Sequence, residues 1–319
     1  MTTSLDCLCA GIIVADSVCQ PIAAMPPAGG LVRTAKVEFT IGGCAANVAA
    51  DMAKLGLQIG ISGRIGNDVF GREVRDQLLA AAVHCDGLIL SETAPTSSTF
   101  VLNVQDEDRR FIHCIGANAE YSGSEITLDM IRQTKLLYVG GFGLLEALTP
   151  ERVTRLFQLA REARVTTVLD VVLSGPDDLS SWIADVAPWT DYFFPNNDEA
   201  ERLSGQTDPH QQAKHFRDLG VRTVVITCGS RGSVLLGPAG RLESDIHPVE
   251  VIDATGTGDA FVSGFLFGLL RGASQNECLQ FGTAMGASCV RSMGATTGVF
   301  NAAELLAFVA SHPLEVRAT

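Results

Sequence analysis

The sequence predicts an α/β protein, with a mainly parallel central sheet covered by helices on both faces and a small second β-sheet projecting from it. Three observations carry this. From about residue 136 onward, short apolar runs alternate with polar or glycine turns and helical patterns, the rhythm of strands joined by crossover helices. Two segments, 17–41 and 97–116, break that rhythm with polar–apolar alternation, which reads as half-exposed strand. Apolar residues make up 46% of the 319 and charged residues 18%, a composition that buries a large core and excludes disorder.

The elements follow in order. Cys7–Ala15 is apolar, is bounded by Asp6 and Asp16, and has no basic flank, so it reads as a first strand with Asp16 at its end rather than a secretion signal. Segments 17–41 and 97–116 are expected to pair as antiparallel strands, the second turning at Asp106-Glu107-Asp108. Phe39, Phe100 and Phe111 then either cover a ligand or a second copy of the chain, or belong to the core. In IGGCAANVAADMAKLG, residues 41–56, Gly42 and Gly43 precede a helix from Ala45 to Leu55 that Gly56 closes. Leu136–Val139 is a strand, Thr149 and Pro150 start a helix that reaches Ala163, and further strands lie at 165–169, 192–194 and 221–227. Turns at 140–143, 170, 196–199 and 227–232 fall at the carboxyl ends of these strands, where parallel sheets bind ligands.

Charge and cysteine content narrow the function. A net charge of −13 leaves no basic face for nucleic acid or an anionic membrane, so any phosphate site must be local. Nine cysteines, an odd number with only Cys7 and Cys9 close together, read as reduced thiols, and neither CxxC nor HExxH occurs. The longest apolar run, Ala260–Leu270, is too short to span a bilayer. A cytoplasmic protein acting on small molecules is expected.

Four stretches carry chemistry. The bare amides of Gly42 and Gly43 and the amide of Asn47 suit the hydroxyls of a polyol, and Asp16 can accept two more hydroxyl hydrogens; the plainer reading is a strand-to-helix junction with a turn aspartate. In FFPNNDEA, Asn196 and Glu199 stand three apart at a helix start, which serves either as a cap or as the holder of the water shell of Mg²⁺. In TCGSRGS, Thr227, Gly229 and Gly232 form a tight turn between strands, either a plain hairpin or backbone laid against nucleotide phosphates. In DATGTGDAF, residues 253–261, Gly256, Thr257, Gly258 and Asp259 open a helix, so their amides make an anion hole without a lysine. A carboxylate there suits a proton acceptor better than a phosphate ligand. GGFGLLE, residues 140–146, lacks the third glycine of a dinucleotide fingerprint, which leaves an NAD-dependent oxidoreductase as a remote alternative.

In this order and spacing the four stretches resemble the PfkB family of carbohydrate kinases, with the ribokinase-like fold. Gly42, Gly43, Asn47, Ala49, Gly56 and Gly66 follow its first signature, and DATGTGDAF is similar to its second, DTTGAGDAF. An NxxE element falls on Asn196–Glu199 and a TxGxxG turn on Thr227, Gly229 and Gly232. The likeness runs from about residue 6 to 311. It implies one kinase domain over 1–319, a three-layer α/β/α body with 17–41 and 97–116 as a lid, ATP as donor and Mg²⁺ as metal. It also implies Asp259 as base, Asp16, Gly42, Gly43 and Asn47 on the sugar, K⁺ near Asp253 and Thr255, and homodimers paired through their lids. Ala254, Thr257 and Asp170-Val171-Val172, without the asparagine of a DxN element, depart from the pattern. The expected reaction is phosphoryl transfer from ATP to a hydroxymethyl group of a sugar or sugar-like acceptor; a nucleoside kinase is the alternative. A non-catalytic sugar-binding protein would have little use for Asp259 together with Asn196 and Glu199.

Overall fold

The computed structural model describes residues 4–105, 107, 110–175 and 178–319. The strands, in chain order, are β1 Leu5–Gly11, β2 Val14–Cys19, β3 Val37–Gly42, β4 Ile59–Gly66, β5 His84–Ser91, β6 Ser98–Leu102, β7 Arg110–Cys114, β8 Thr134–Phe142, β9 Thr166–Val171, β10 Tyr192–Phe193, β11 Thr223–Thr227, β12 Ser233–Gly237, β13 Gly240–Ser244 and β14 Val316–Ala318. Ten of them form one sheet in the order β14-β13-β12-β11-β10-β9-β8-β1-β4-β5. The seven from β11 to β5 pair in parallel, and β12, β13 and β14 extend that edge antiparallel. The central strands are almost wholly apolar and buried, as parallel strands covered on both faces must be.

The expected first strand, 7–15, is two strands in two sheets. At Gly11 (φ 136°) the chain leaves the large sheet, and the buried Asn118 amide holds Ile13 at the crossing, accepting from its N–H at 3.2 Å and donating to its carbonyl at 3.0 Å. Apolar character alone does not distinguish one long strand from two. Asp16 therefore sits within β2 of the small sheet rather than at a strand end. The small sheet runs β3-β2-β6-β7. Its outer pairs are antiparallel as expected, but β2 and β6 are parallel, because both leave the body in the same direction. Most of 20–36 forms no strand, and Asp106 and Asp108 of the expected turn lie outside the described residues.

The helices are α1 Cys44–Lys54, α2 Val69–Ala80, α3 Leu128–Arg132, α4 Pro150–Glu162, α5 Ser180–Val186, α6 Asn197–Ser204, α7 Pro209–Asp218, α8 Thr257–Leu270, α9 Gln275–Cys289 and α10 Ala302–Ser311. Helix α8 is apolar on nearly every side and buries everything from Ala260 to Gly268. A helix of that kind has to be enclosed. It packs against α1 on one side and α9 on the other, where Gly264 runs so close to the Phe281 carbonyl that a side chain would come within 2.4 Å. This enclosure fixes where its first turn lies.

One buried acid stands out in α1. Asp51 is fully buried, and neither carboxylate oxygen finds a hydrogen-bond partner among the described residues. Burial first, and then the charge of Asp259, push its carboxyl well above the usual range, against a smaller pull from Lys54. A raised folded pKa favours the neutral acid, so its contribution to stability is complete below an unfolded value of about 4 and is lost as pH climbs toward the folded one, by about 1.4 kcal/mol per unit in that window. Asp51→Asn is therefore expected to melt higher than wild type at pH 8, with the gap closing toward pH 4. Thermal melts across pH test this, and a gap that does not change with pH would exclude it.

Candidate active site

The first turn of α8 is built by Gly256, its N-cap, whose left-handed conformation (φ 75°) and contact with Ala295 leave no room for a side chain: a Cβ would lie 2.4 Å from that of Ala295. Thr257 turns both its amide (3.4 Å) and its hydroxyl (2.8 Å) back onto the Ala254 carbonyl. The β-branched side chain at this unusual position is thereby tied down. Beside this turn lies a cavity of about 550 Å³, lined by Thr257 and Gly258 and also by Asn196, Thr227, Gly229 and Gly232. Its apolar wall comes from Ile246, Val249, Val251, Phe261 and Val290. Gly229 and Gly232 turn the chain from β11 into the antiparallel β12, so this stretch is a hairpin and also cavity wall.

Asp259, one residue beyond Gly258, meets α1: Asn47 Nδ2 donates to its Oδ2 at 2.7 Å. Part of the residue's surface stays open, but its carboxyl end is enclosed. Burial raises its pKa, while hydrogen bonds from Asn47 and Cys44 pull the other way. The carboxyls of Asp259 and Asp170 and the Cys44 thiol lie within 4.8 Å of one another. Asp16 reaches the same place from the lid. Register aligns it with Thr40 on one side and Thr99 on the other, and His113 follows Thr99, so all four side chains lie on one face of the small sheet. Burial pushes Asp16 up to about 6; a bond from Thr99 lowers it and the charge of Asp259 raises it. Gly42 gives the carboxylate its room, since a Cβ there would sit 2.0 Å from Asp16 Oδ2.

Asn196 and Glu199 form a full capping box at the start of α6, each side chain bonded to the other's amide at 2.9 Å. The capping reading of this pair holds. Burial pushes Glu199 up to about 7; the Asn196 amide offsets part of that, and the charge of Asp259 adds to it. Asp16 and Glu199 are thus each within electrostatic reach of Asp259.

Matching against known families places residues 6–301 in the pfkB carbohydrate kinase family. The chain belongs to that family. It is 31% identical over 284 residues to aminoimidazole riboside kinase of Salmonella typhimurium strain LT2, covering 86% of this chain and 89% of the relative. A 5-dehydro-2-deoxygluconokinase of Listeria monocytogenes serotype 4b is 25% identical over 281 residues, covering 85% and 86%. Among solved structures, the ribokinase of Arabidopsis thaliana complexed with ribose and ATP superimposes with a TM-score of 0.84 at 25% identity, over 96% of this chain and 99% of that one. The fold is ribokinase-like, and the protein is a phosphotransferase with a hydroxyl acceptor.

In this kinase, Asp253 and Thr255 are bonded to each other in the loop before α8. Asp253 Oδ1 accepts from the amide and hydroxyl of Thr255, and its Oδ2 accepts from the Gly294 amide. The carbonyls of Thr255 and Ala295 converge on Cys289 Sγ at 3.3 and 3.2 Å. Sequence reading passed over Cys44, although it lies inside the glycine signature, and Tyr138, which donates to Asp170 at 2.8 Å. A tyrosine inside an apolar strand gives no local signal of what its hydroxyl touches. Asp170 itself lies within β9 rather than in a turn beyond it, and 140–142 likewise belong to β8. Among the described residues no helix is long and apolar enough to cross a membrane.

Proposed function

We propose that this kinase transfers the γ-phosphoryl group of ATP to a hydroxymethyl group of a sugar or sugar-like acceptor, with Asp259 as general base. The observation that carries the reading is the position of Asp259. Its neighbours Thr257 and Gly258 face the cavity, while its carboxylate meets Asn47. In this reading ATP occupies the cavity against Thr227, Gly229 and Gly232, and the acceptor lies beneath the lid on Asp16, Gly42, Gly43 and Asn47. The acceptor oxygen attacks the γ-phosphorus as the bond to the ADP oxygen breaks, and the hydroxyl proton passes to Asp259. Because Thr257 turns its amide to Ala254, the anion hole rests mainly on Gly258 and Asp259, where one donor is worth about 3–4 kcal/mol.

Mg²⁺ would be held through water by Glu199 and would neutralise phosphate charge. A second, partly enclosed carboxylate oxygen beyond the capping bond fits that role. Glu199→Gln keeps a capping side chain and is expected to raise the Mg²⁺ concentration for half-maximal rate; an unchanged Mg²⁺ titration leaves only the cap. K⁺ is assigned to the Asp253–Thr255 loop, on the support of the family resemblance and of a buried carboxylate there. Phe100 (50%) and Ile112 (62%) share one face of the lid and are exposed, which supports pairing of two copies through their lids, while Phe39 in the same row stacks on Phe70 of α2. The whole chain, lid included, is read as one kinase domain.

ADP release from ATP and Mg²⁺ across a panel of sugars and nucleosides tests the reaction. Acceptor-dependent release is expected, and rates identical with and without every acceptor would overturn it. A nucleoside acceptor is the second reading, favoured by the aminoimidazole riboside kinase relative.

A further inference from the structure

We propose that Asp170, held by Tyr138 and contacted by Cys44, is a positioning residue that keeps the one shared proton of the Asp170/Asp259 pair, so that Asp259 carries the negative charge when the acceptor hydroxyl arrives. This rests on the reading of Asp259 as the base.

The geometry comes first. Two carboxyls and a thiol with atoms within 4.8 Å of one another cannot all hold charge. Two carboxylates at that spacing repel by roughly 4 kcal/mol at an effective dielectric of about 20, so the pair carries one charge and titrates in two steps. The surroundings decide which acid is the anion. Asp259 accepts from Asn47 Nδ2 at 2.7 Å and stands in the first turn of the 14-residue α8, whose amides favour a negative charge. Asp170 sits near the end of a strand, 9% exposed, and accepts from the Tyr138 hydroxyl at its Oδ2, a bond that eases its ionisation but has no helix amides behind it. The Tyr138 ring takes the room that Gly140 leaves, since a side chain there would come within 2.6 Å of it. The proton belongs on the other Asp170 oxygen, toward Cys44 and Asp259.

The groups around the pair reinforce this. Asp170 faces Tyr138 from β8, Cys44 from α1, Asp259 from α8 and Glu199 from α6. Asp259 faces Asn47, Cys44 and Asp51 from α1, Asp16 from the lid, Glu199 from α6 and Cys289 from α9. The acids in this shell add negative charge. Burial, and then the Asp259 charge, hold Asp170 well above the usual carboxylate range. The Cys44 thiol is likewise pushed up and stays protonated, its single S–H within reach of either carboxyl.

A functional consequence follows. When Asp170 loses its proton, a second charge appears where the anionic phosphoryl group approaches, so kcat/KM for the acceptor should fall by about tenfold per pH unit on the alkaline side. The test is the pH profile of kcat/KM in wild type, Asp170→Asn and Tyr138→Phe. Wild type is expected to give a bell. Asp170→Asn should keep the acidic limb and lose the alkaline one. Tyr138→Phe should move the alkaline limb up by about one unit, because the lost hydrogen bond favoured the ionised acid. An alkaline limb unmoved in Asp170→Asn, or a loss by the same factor at every pH in both variants, overturns the proposal. ATP binding checks folding, and if Asp170→Asn does not fold, the limb position in Tyr138→Phe decides alone. Failure of the base reading would appear elsewhere, as wild-type turnover in Asp259→Asn.

Discussion

Asp259→Asn is expected to fold, to bind ATP, and to turn over at least about a hundredfold more slowly than wild type. The substitution keeps the main-chain amide at the head of α8 and leaves an oxygen that can still accept from Asn47 Nδ2. What it removes is basicity. Since the lost interaction belongs to the transition state, kcat and kcat/KM should fall together, with the ATP dissociation constant from calorimetry little changed. The variant should also lower the pKa of Asp16, which the Asp259 charge helps to raise. Turnover near the wild-type value would exclude Asp259 as the base.

Asp16→Ala should raise the acceptor KM by about ten- to a hundredfold while the ATP KM moves little, because a hydrogen bond to a charged group is worth about 1.5–3 kcal/mol and its loss leaves acceptor hydroxyls unpaired. The Asp16 carboxylate lies against bare Gly42 backbone on the lid face that it shares with Thr40 and Thr99, and it is not among the residues that line the cavity beside α8. Its pKa of about 6 adds a signature. Below that value the protonated acid accepts less well, so acceptor KM in wild type should climb as pH drops through 6, and the variant should lose that dependence. Equal rises in both KM values would place Asp16 outside the acceptor site.

Much of the site was legible because its signals are local. The glycines at 42, 43 and 256, the caps at Asn196 and Thr149, and the hairpin glycines at 229 and 232 each act through the backbone of a few neighbouring residues, and each stands where the spacing predicts it. The strand at 7–15 was misread because two buried strands in different sheets have the same apolar texture as one. The lid was read as antiparallel throughout, but alternation reports only that one face is exposed, not the direction of a neighbour 80 residues away. The apolar cavity wall at Ile246, Val249 and Val290 carried no signal, since isolated apolar side chains in loops are unremarkable until a fold brings them together.

By itself the sequence pointed to the family, to the alternation of strands and helices in the second half of the chain, and to which turns expose backbone amides, since periodicity, capping and turn chemistry all act over a few residues. Only the tertiary structure decided that Asn47 donates to a carboxylate 212 residues away, that Asp170 and Cys44 crowd the same carboxyl group, and that Asp16 comes to it from a different sheet. Charge coupling depends on separation in space, and the burial of α8 between α1 and α9 sets that separation here.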